Sequence, residues 1–219
     1  MKKLVCALLL AAGAFCTAFS DTGDTVTFIP SLGFSSPIHN YKAEKDGNTL
    51  KWSEFDCNCI DTNGFIIFNH TGITLRYDAN IGFALANKNI YGTDKSDSRG
   101  SIIGFGIGAG YAFINTNKMN LILTGTLGFE YSDYGSEEIT VGSIKYKKYL
   151  TMATAEIGAN LDFAYRLTDH FGLTAGVKCA IGGGTRTMKV EQSGASTTTK
   201  YADISGFTVT PRIGMCWFK

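Results

Sequence analysis

Arg76, Asp78 and Asn80 stand at every second position of GITLRYDANIGFALAN, residues 72 to 87, a stretch whose other residues are largely apolar. Glu130, Glu156, Asn160, Asp162, Lys178 and Arg212 recur further along with the same alternation. The three cations, Arg76, Lys178 and Arg212, nearly balance the four carboxylates, Asp78, Glu130, Glu156 and Asp162. Unpaired charges in a confined space are costly, so these nine residues are expected to form one hydrogen-bonded polar network.

Other chemistry is thinly supplied. After the leader the histidines are His39, His70 and His170. His70 and His170 fall in short turns, and His39 is expected in the first outer loop near Ser36. No spacing of His, Asp and Ser matches a catalytic set, so no enzyme is expected. Cys57-Asn58-Cys59 places two thiols on one side of an extended chain. Without a second pair or a histidine cluster it makes a poor metal site, leaving a strained local disulfide, two exposed thiols or no chemistry as its readings. Cys179 and Cys216 belong to opposite faces of neighbouring strands and should not bond to each other. Gly106 and Gly108 lie within a strand rather than at a strand-to-helix turn, so they are no dinucleotide fingerprint. No cofactor is expected.

The polar residues need long strands to position them. Ile73, Leu75, Tyr77, Ala79, Ile81, Phe83 and Leu85 form an unbroken apolar row opposite Arg76, Asp78 and Asn80. A strand has two such faces, whereas a helix would scatter both sets. The alternation recurs around residues 101–113, 119–131, 149–165, 171–182 and 207–217, with further strands at 26–34 and about 58–68. Eight strands result. The connections alternate between short turns at 69–72, 115–118 and 167–170 and long polar loops near 36–57, 87–100, 133–148 and 183–203. The fold class is an all-β, eight-stranded antiparallel up-and-down transmembrane β-barrel, with turns periplasmic and loops outside.

Residues 1–20 carry the parts of a secretory signal: Lys2 and Lys3, an apolar run from Leu4 to Phe15, and a small-residue exit at Ala18-Phe19-Ser20. Cys16 follows the bulky Phe15, a poor context for lipid attachment. Residues 21–219 then form one barrel domain. No later apolar run reaches the ~18 residues a spanning helix needs. A net charge of +1, scattered in sign, argues against a nucleic-acid partner.

Tyr111-Ala112-Phe113 with Thr116 and Leu121 aligns without gaps on Phe163-Ala164-Tyr165 with Thr168 and Leu173, each a strand end, a turn and a strand start. With Phe83, Phe129, Tyr131 and Tyr149 at the other ends, two aromatic girdles are expected. On these residues, and on the hairpin YRLTDHFGLTAGV, the chain resembles the small eight-stranded outer-membrane barrels, the group of OmpX, the OmpA membrane domain, OmpW and the opacity proteins. Such proteins usually end in an aromatic residue. Here Trp217, in the alternating row, is the better match, with Phe218 and Lys219 beyond it.

A secreted lipocalin-type ligand carrier has the same alternation turned inside out. The polar row decides between them. Gly104, Gly106, Gly108 and Gly110, with Gly158, Gly176, Gly182 and Gly214, make a poor wetted surface but suit a narrow interior, and the bulky apolar row would overfill one. The resemblance therefore implies a bacterial outer-membrane location and contact with outer-membrane lipid, and the length of the outer loops at 36–57 and 183–203 leads to an expected structural or adhesive role in which they meet host surface molecules. The alternative is an OmpW-like channel for small hydrophobic solutes. An apolar lining in the upper barrel would favour the channel, and the polar row shows little of one.

Overall fold

The computed structural model describes residues 25–45, 48–51, 55–84, 101–141, 144–192 and 197–219. The expected leader at 1–20 and the outer loop at 87–100 lie outside these residues. The chain forms β1 (Val26–Ser35), β2 (Ile38–Lys45), β3 (Asn48–Lys51), β4 (Phe55–Phe68), β5 (Ile73–Ala84), β6 (Ser101–Asn115), β7 (Met119–Val141), β8 (Ile144–Arg166), β9 (Phe171–Gln192) and β10 (Thr197–Trp217).

All neighbours pair antiparallel in chain order from β4 to β10, and β1 closes the ring between β10 and β4. Eight strands make the wall. The extra two come from the first outer loop. Ser36-Pro37 interrupts the first strand, since Pro37 has no N–H to give the ladder. β2 then resumes the same register against both neighbours: Ser35 opposes Arg212 and Cys59, and Ile38 opposes Val209 and Asp56. β3 folds back on β2 as a short hairpin.

The register fixes the barrel's girth. Hydrogen-bonded partners lead from Ile204 through Gly184, Thr154, Glu130, Gly104, Asn80, Asp61 and Gly33 back to β10 at Gly214, ten residues from the start. Eight strands with that stagger tilt by about 40° and leave room for little but side chains.

The predicted long loops at 133–148 and 183–203 are corrected by the structure. β7 and β8 run on to Val141 and Ile144, and β9 and β10 to Gln192 and Thr197, so the loops are largely hairpin extensions of the wall. β7 travels about 30 Å along its axis beyond Tyr131. Polar, β-prone runs such as Thr185-Arg186-Thr187 read as loop, yet cross-strand pairing with Thr151, Met152 and Ala153 keeps them extended.

At the other end the turns are tight. Gly72 closes the β4–β5 turn at φ +74°, a conformation that favours glycine, and a Cβ there would also strike the Tyr111 ring. The floor of the barrel is apolar: Ile29, Phe65, Ile67, Ala112, Ile122, Ala164, Cys216 and Phe218 pack as one buried cluster. Trp217 points outward and meets Phe171 edge-on. Phe218 turns inward beneath the Arg166 guanidinium, and Lys219 exchanges both backbone hydrogen bonds with Phe28. The two residues beyond Trp217 thus finish the floor.

Candidate functional site

Side-chain exposure separates the two rows. Phe34, Phe105, Ile107, Leu127, Ile157, Ile181 and Ile213 lie on the outside, each more than half exposed, with Phe34 reaching 70%. Arg76, Glu130, Glu156, Asp162 and Arg212 are all under 10% exposed and point inward. Leaving large apolar side chains bare while enclosing charges is the reverse of a water-soluble fold and suits a wall solvated by lipid. Tyr111, Phe113, Phe163, Tyr165 and Trp217 ring the outside near the short turns, and Phe83, Phe129 and Tyr131 ring it near the other end. Tyr149 stands beyond that girdle, between Lys147 and Lys189 at 5.3 and 5.6 Å. There the hydrogen bond between Lys189 and Glu191 raises the lysine above its ordinary value and lowers the carboxylate below its own.

The nine predicted network residues all sit on the inner row, in two groups. In the lower group Arg76 hydrogen-bonds Asp78 through Nε at 2.9 Å and Nη2 at 2.6 Å, and pairs with Asp162 through Nη1. Arg212 donates to Asp78 at 2.9 Å and to Asn160 at 2.5 Å. Asn160 passes the chain on to Thr126 at 3.0 Å. In the upper group Lys178 Nζ pairs with Glu156 Oε2 at 2.7 Å, while Tyr41 and Thr208 hydroxyls donate to Glu156 Oε1 at 2.9 and 3.0 Å. Asn80 lies between the groups against Gly104, and its Oδ1 has no hydrogen-bond partner. Asp78, Asn80, Glu156, Lys178 and Arg212 help to line a cavity of about 20 Å³, room for about one water molecule.

Four members of the network escape the sequence reading. Asp61 is buried and accepts a hydrogen bond from Asn63 at 2.7 Å, which in turn accepts one from Ser31 at 2.8 Å. Asp61 and Asn63 belong to the strand with the weakest alternation, because Gly64 interrupts its polar and apolar rows. Tyr41 and His39 fall within the expected first outer loop. His39 is corrected from that position: it is buried inside the barrel on β2, its Nε2 2.7 Å from Glu130 Oε1 and its ring stacked on Tyr41. A legible signal existed, since Ser31, Gly33, Ser35, Pro37, His39 and Tyr41 continue one period-two row straight through the proline.

The cysteines carry no bond among the described residues. Cys59, Cys179 and Cys216 are free thiols, with Cys179 exposed on the outer face and Cys216 buried in the floor. The side chain of Cys57 lies outside the described residues.

Above the network the inner row changes character. Ile102, Leu150, Met152 and Ile204 are buried there with Tyr41. This corrects the expectation that the inner row offers little apolar lining near the mouth.

A family model described as "Domain of unknown function (DUF2715)" matches residues 16–217. The chain belongs to the DUF2715 family. No curated protein matches this DUF2715 chain in sequence. Among solved structures, it is similar to the outer membrane protein OprG from Pseudomonas aeruginosa, with 12% identity over 88% of this chain and 95% of that one and a TM-score of 0.53. It is also similar to a major outer membrane protein from Thermus thermophilus, with 8% identity over 86% and 99% of the two chains and a TM-score of 0.53. At such identities the likeness shows the fold, an antiparallel barrel of eight wall strands.

Proposed function

We propose that this DUF2715 protein is a non-catalytic integral component of a bacterial outer membrane, with a closed lumen and a structural or adhesive role carried by its outward hairpins. The observation that carries the reading is the union of a bare apolar belt with an ion-paired interior in which the cavity beside Glu130, Glu156 and Arg212 holds about one water molecule. A lumen so filled offers no path for a hydrated solute. The partners on this reading are outer-membrane lipid around the belt and host surface molecules at the extended hairpins, because exposed connections are where binding residues gather. The test is heat-modifiability of the native membrane fraction on SDS gels, combined with protease treatment of intact cells. A faster unheated band and clipping at the hairpins support the reading. A soluble protein without a mobility shift sinks it.

A second reading has its own observation. Ile102, Leu150, Met152 and Ile204 give the upper lumen an apolar collar, which suits entry of a small hydrophobic solute with release sideways into lipid. Uptake of such solutes by vesicles carrying the barrel, at unchanged ion conductance, would favour this channel over the closed barrel.

A further inference from the structure

The packed middle of the lumen does not balance in charge. Arg76 and Arg212 neutralise Asp78 and Asp162, and Lys178 neutralises Glu156. Two buried carboxylates are left with partners that carry no permanent charge: Glu130 beside the His39 imidazole, and Asp61 beside the Asn63 amide. Arg166, over Phe218 in the floor, and Arg186, opposite Met152 near the mouth, lie outside this stretch. Both carboxylates line the same small cavity. Burying them as anions is costly unless His39 or Asp61 carries a proton, and one divalent cation would balance them equally well.

Glu130 and Glu156 line that cavity, and with His39 against Glu130 they supply ligands. His39, Glu130 and Glu156 are all buried, and their donor atoms lie within 4.8 Å of one another. Thr154, opposite Glu130 in the ladder and two residues before Glu156, is 2% exposed, and its hydroxyl on the inner row has no hydrogen-bond partner. An orphaned buried hydroxyl beside three potential ligands is what a site with an unused fourth donor, or a held water, looks like.

We propose that His39, Glu130 and Glu156 bind one divalent transition-metal ion of the zinc class in the upper lumen. An imidazole with two carboxylates suits Zn²⁺, Mn²⁺ or Fe²⁺, whereas Ca²⁺ and Mg²⁺ want oxygen ligands alone. A zinc site would draw the three donors in to bond lengths of ~2.0–2.2 Å. Glu156 would turn Oε1 to the ion in place of the Tyr41 and Thr208 hydroxyls while Lys178 keeps Oε2, and Tyr41 stays stacked on His39. The ion would tie β2, β7 and β8 together at the point where β2 resumes after its proline break. Its effect is structural cross-linking of the wall.

The test uses the full protein purified from membranes in detergent, stripped with a chelator, titrated with Zn²⁺, desalted and analysed for metal. Retention of about one equivalent is expected in the wild type and in a His70→Gln/His170→Gln variant that removes the turn histidines. His39→Gln and Glu130→Gln should each weaken binding by about tenfold or more. Should those variants fail to fold, Co²⁺ titration of the wild type decides: a visible ligand-field spectrum that saturates at one equivalent and is abolished by Zn²⁺ supports the site. A wild-type barrel with the faster unheated mobility that retains no zinc and gives no such spectrum overturns it. Unchanged retention in folded His39→Gln and Glu130→Gln barrels overturns it equally.

Discussion

The guanidinium of Arg76 on β5 meets the carboxylate of Asp162 on β8, a partner 86 residues along the chain and three strands around the ring. The pair therefore spans the lumen rather than lining one wall, and with Arg212 and Asp78 it forms a girder across the barrel's narrow dimension. Both ions have left water, so the pair's net contribution is modest, but either ion left alone is a buried unpaired charge.

Arg76→Met or Asp162→Leu alone should each cost about 3–5 kcal/mol, read as a lower temperature for loss of the fast-migrating band. The double variant should recover most of that loss, since an apolar pair replaces a desolvated ionic one. A double variant as weak as the sum of the singles would show that the two residues do not act on each other.

Leu127 is exposed near the middle of the outer belt, while Thr126 beside it is buried. Leu127→Arg should destabilise the barrel in lipid by about 2–4 kcal/mol, measured by urea unfolding in vesicles. A cost near zero would mean that water rather than hydrocarbon lies against that face.

Glu156 and Lys178 form an ion pair in the upper half of the lumen. Replacing both with alanine should raise single-channel conductance in planar bilayers from a closed baseline. An unchanged trace in a folded double variant would remove the pair's role as a plug.

Gly176 admits Asp162 to its place: a Cβ at Gly176 would overlap Asp162 Oδ1 and come within 3.0 Å of the Leu161 carbonyl oxygen. Gly176→Ala should cost about 1–3 kcal/mol as an overpacked site. A Gly183→Ala control, whose Cβ would come within 3.3 Å of the Ile204 carbonyl oxygen and meet nothing nearer, should cost less.

Period-two alternation carried the eight-stranded wall and the inward face of Arg76, Asp78, Glu130, Glu156, Asp162, Lys178 and Arg212, because one face meets lipid and the other a packed interior. It failed where both sides of a strand meet the same surroundings. Beyond the girdle Thr185, Arg186 and Thr187 are polar on both faces of the strand, so no apolar row marks that stretch as strand rather than loop. His39 was hidden by a different cause: Pro37 reads as a breaker, yet it costs a single ladder bond while the register continues past it. Asp61 lay in a strand whose glycine and mixed rows blur the period. The two groups within the network were not legible either, since they depend on the ten-residue stagger, which only cross-strand pairing fixes.

The seam of the barrel joins β1 to β10, the first strand of the wall to the last. Every other junction joins strands that follow one another around the wall in chain order, so the wall can grow in sequence, but it stays an open sheet with two unpaired edges until β10 arrives. Throughout that interval an apolar face and free backbone groups are presented together, the condition under which chains aggregate. Assembly is accordingly a race between ring closure and self-association.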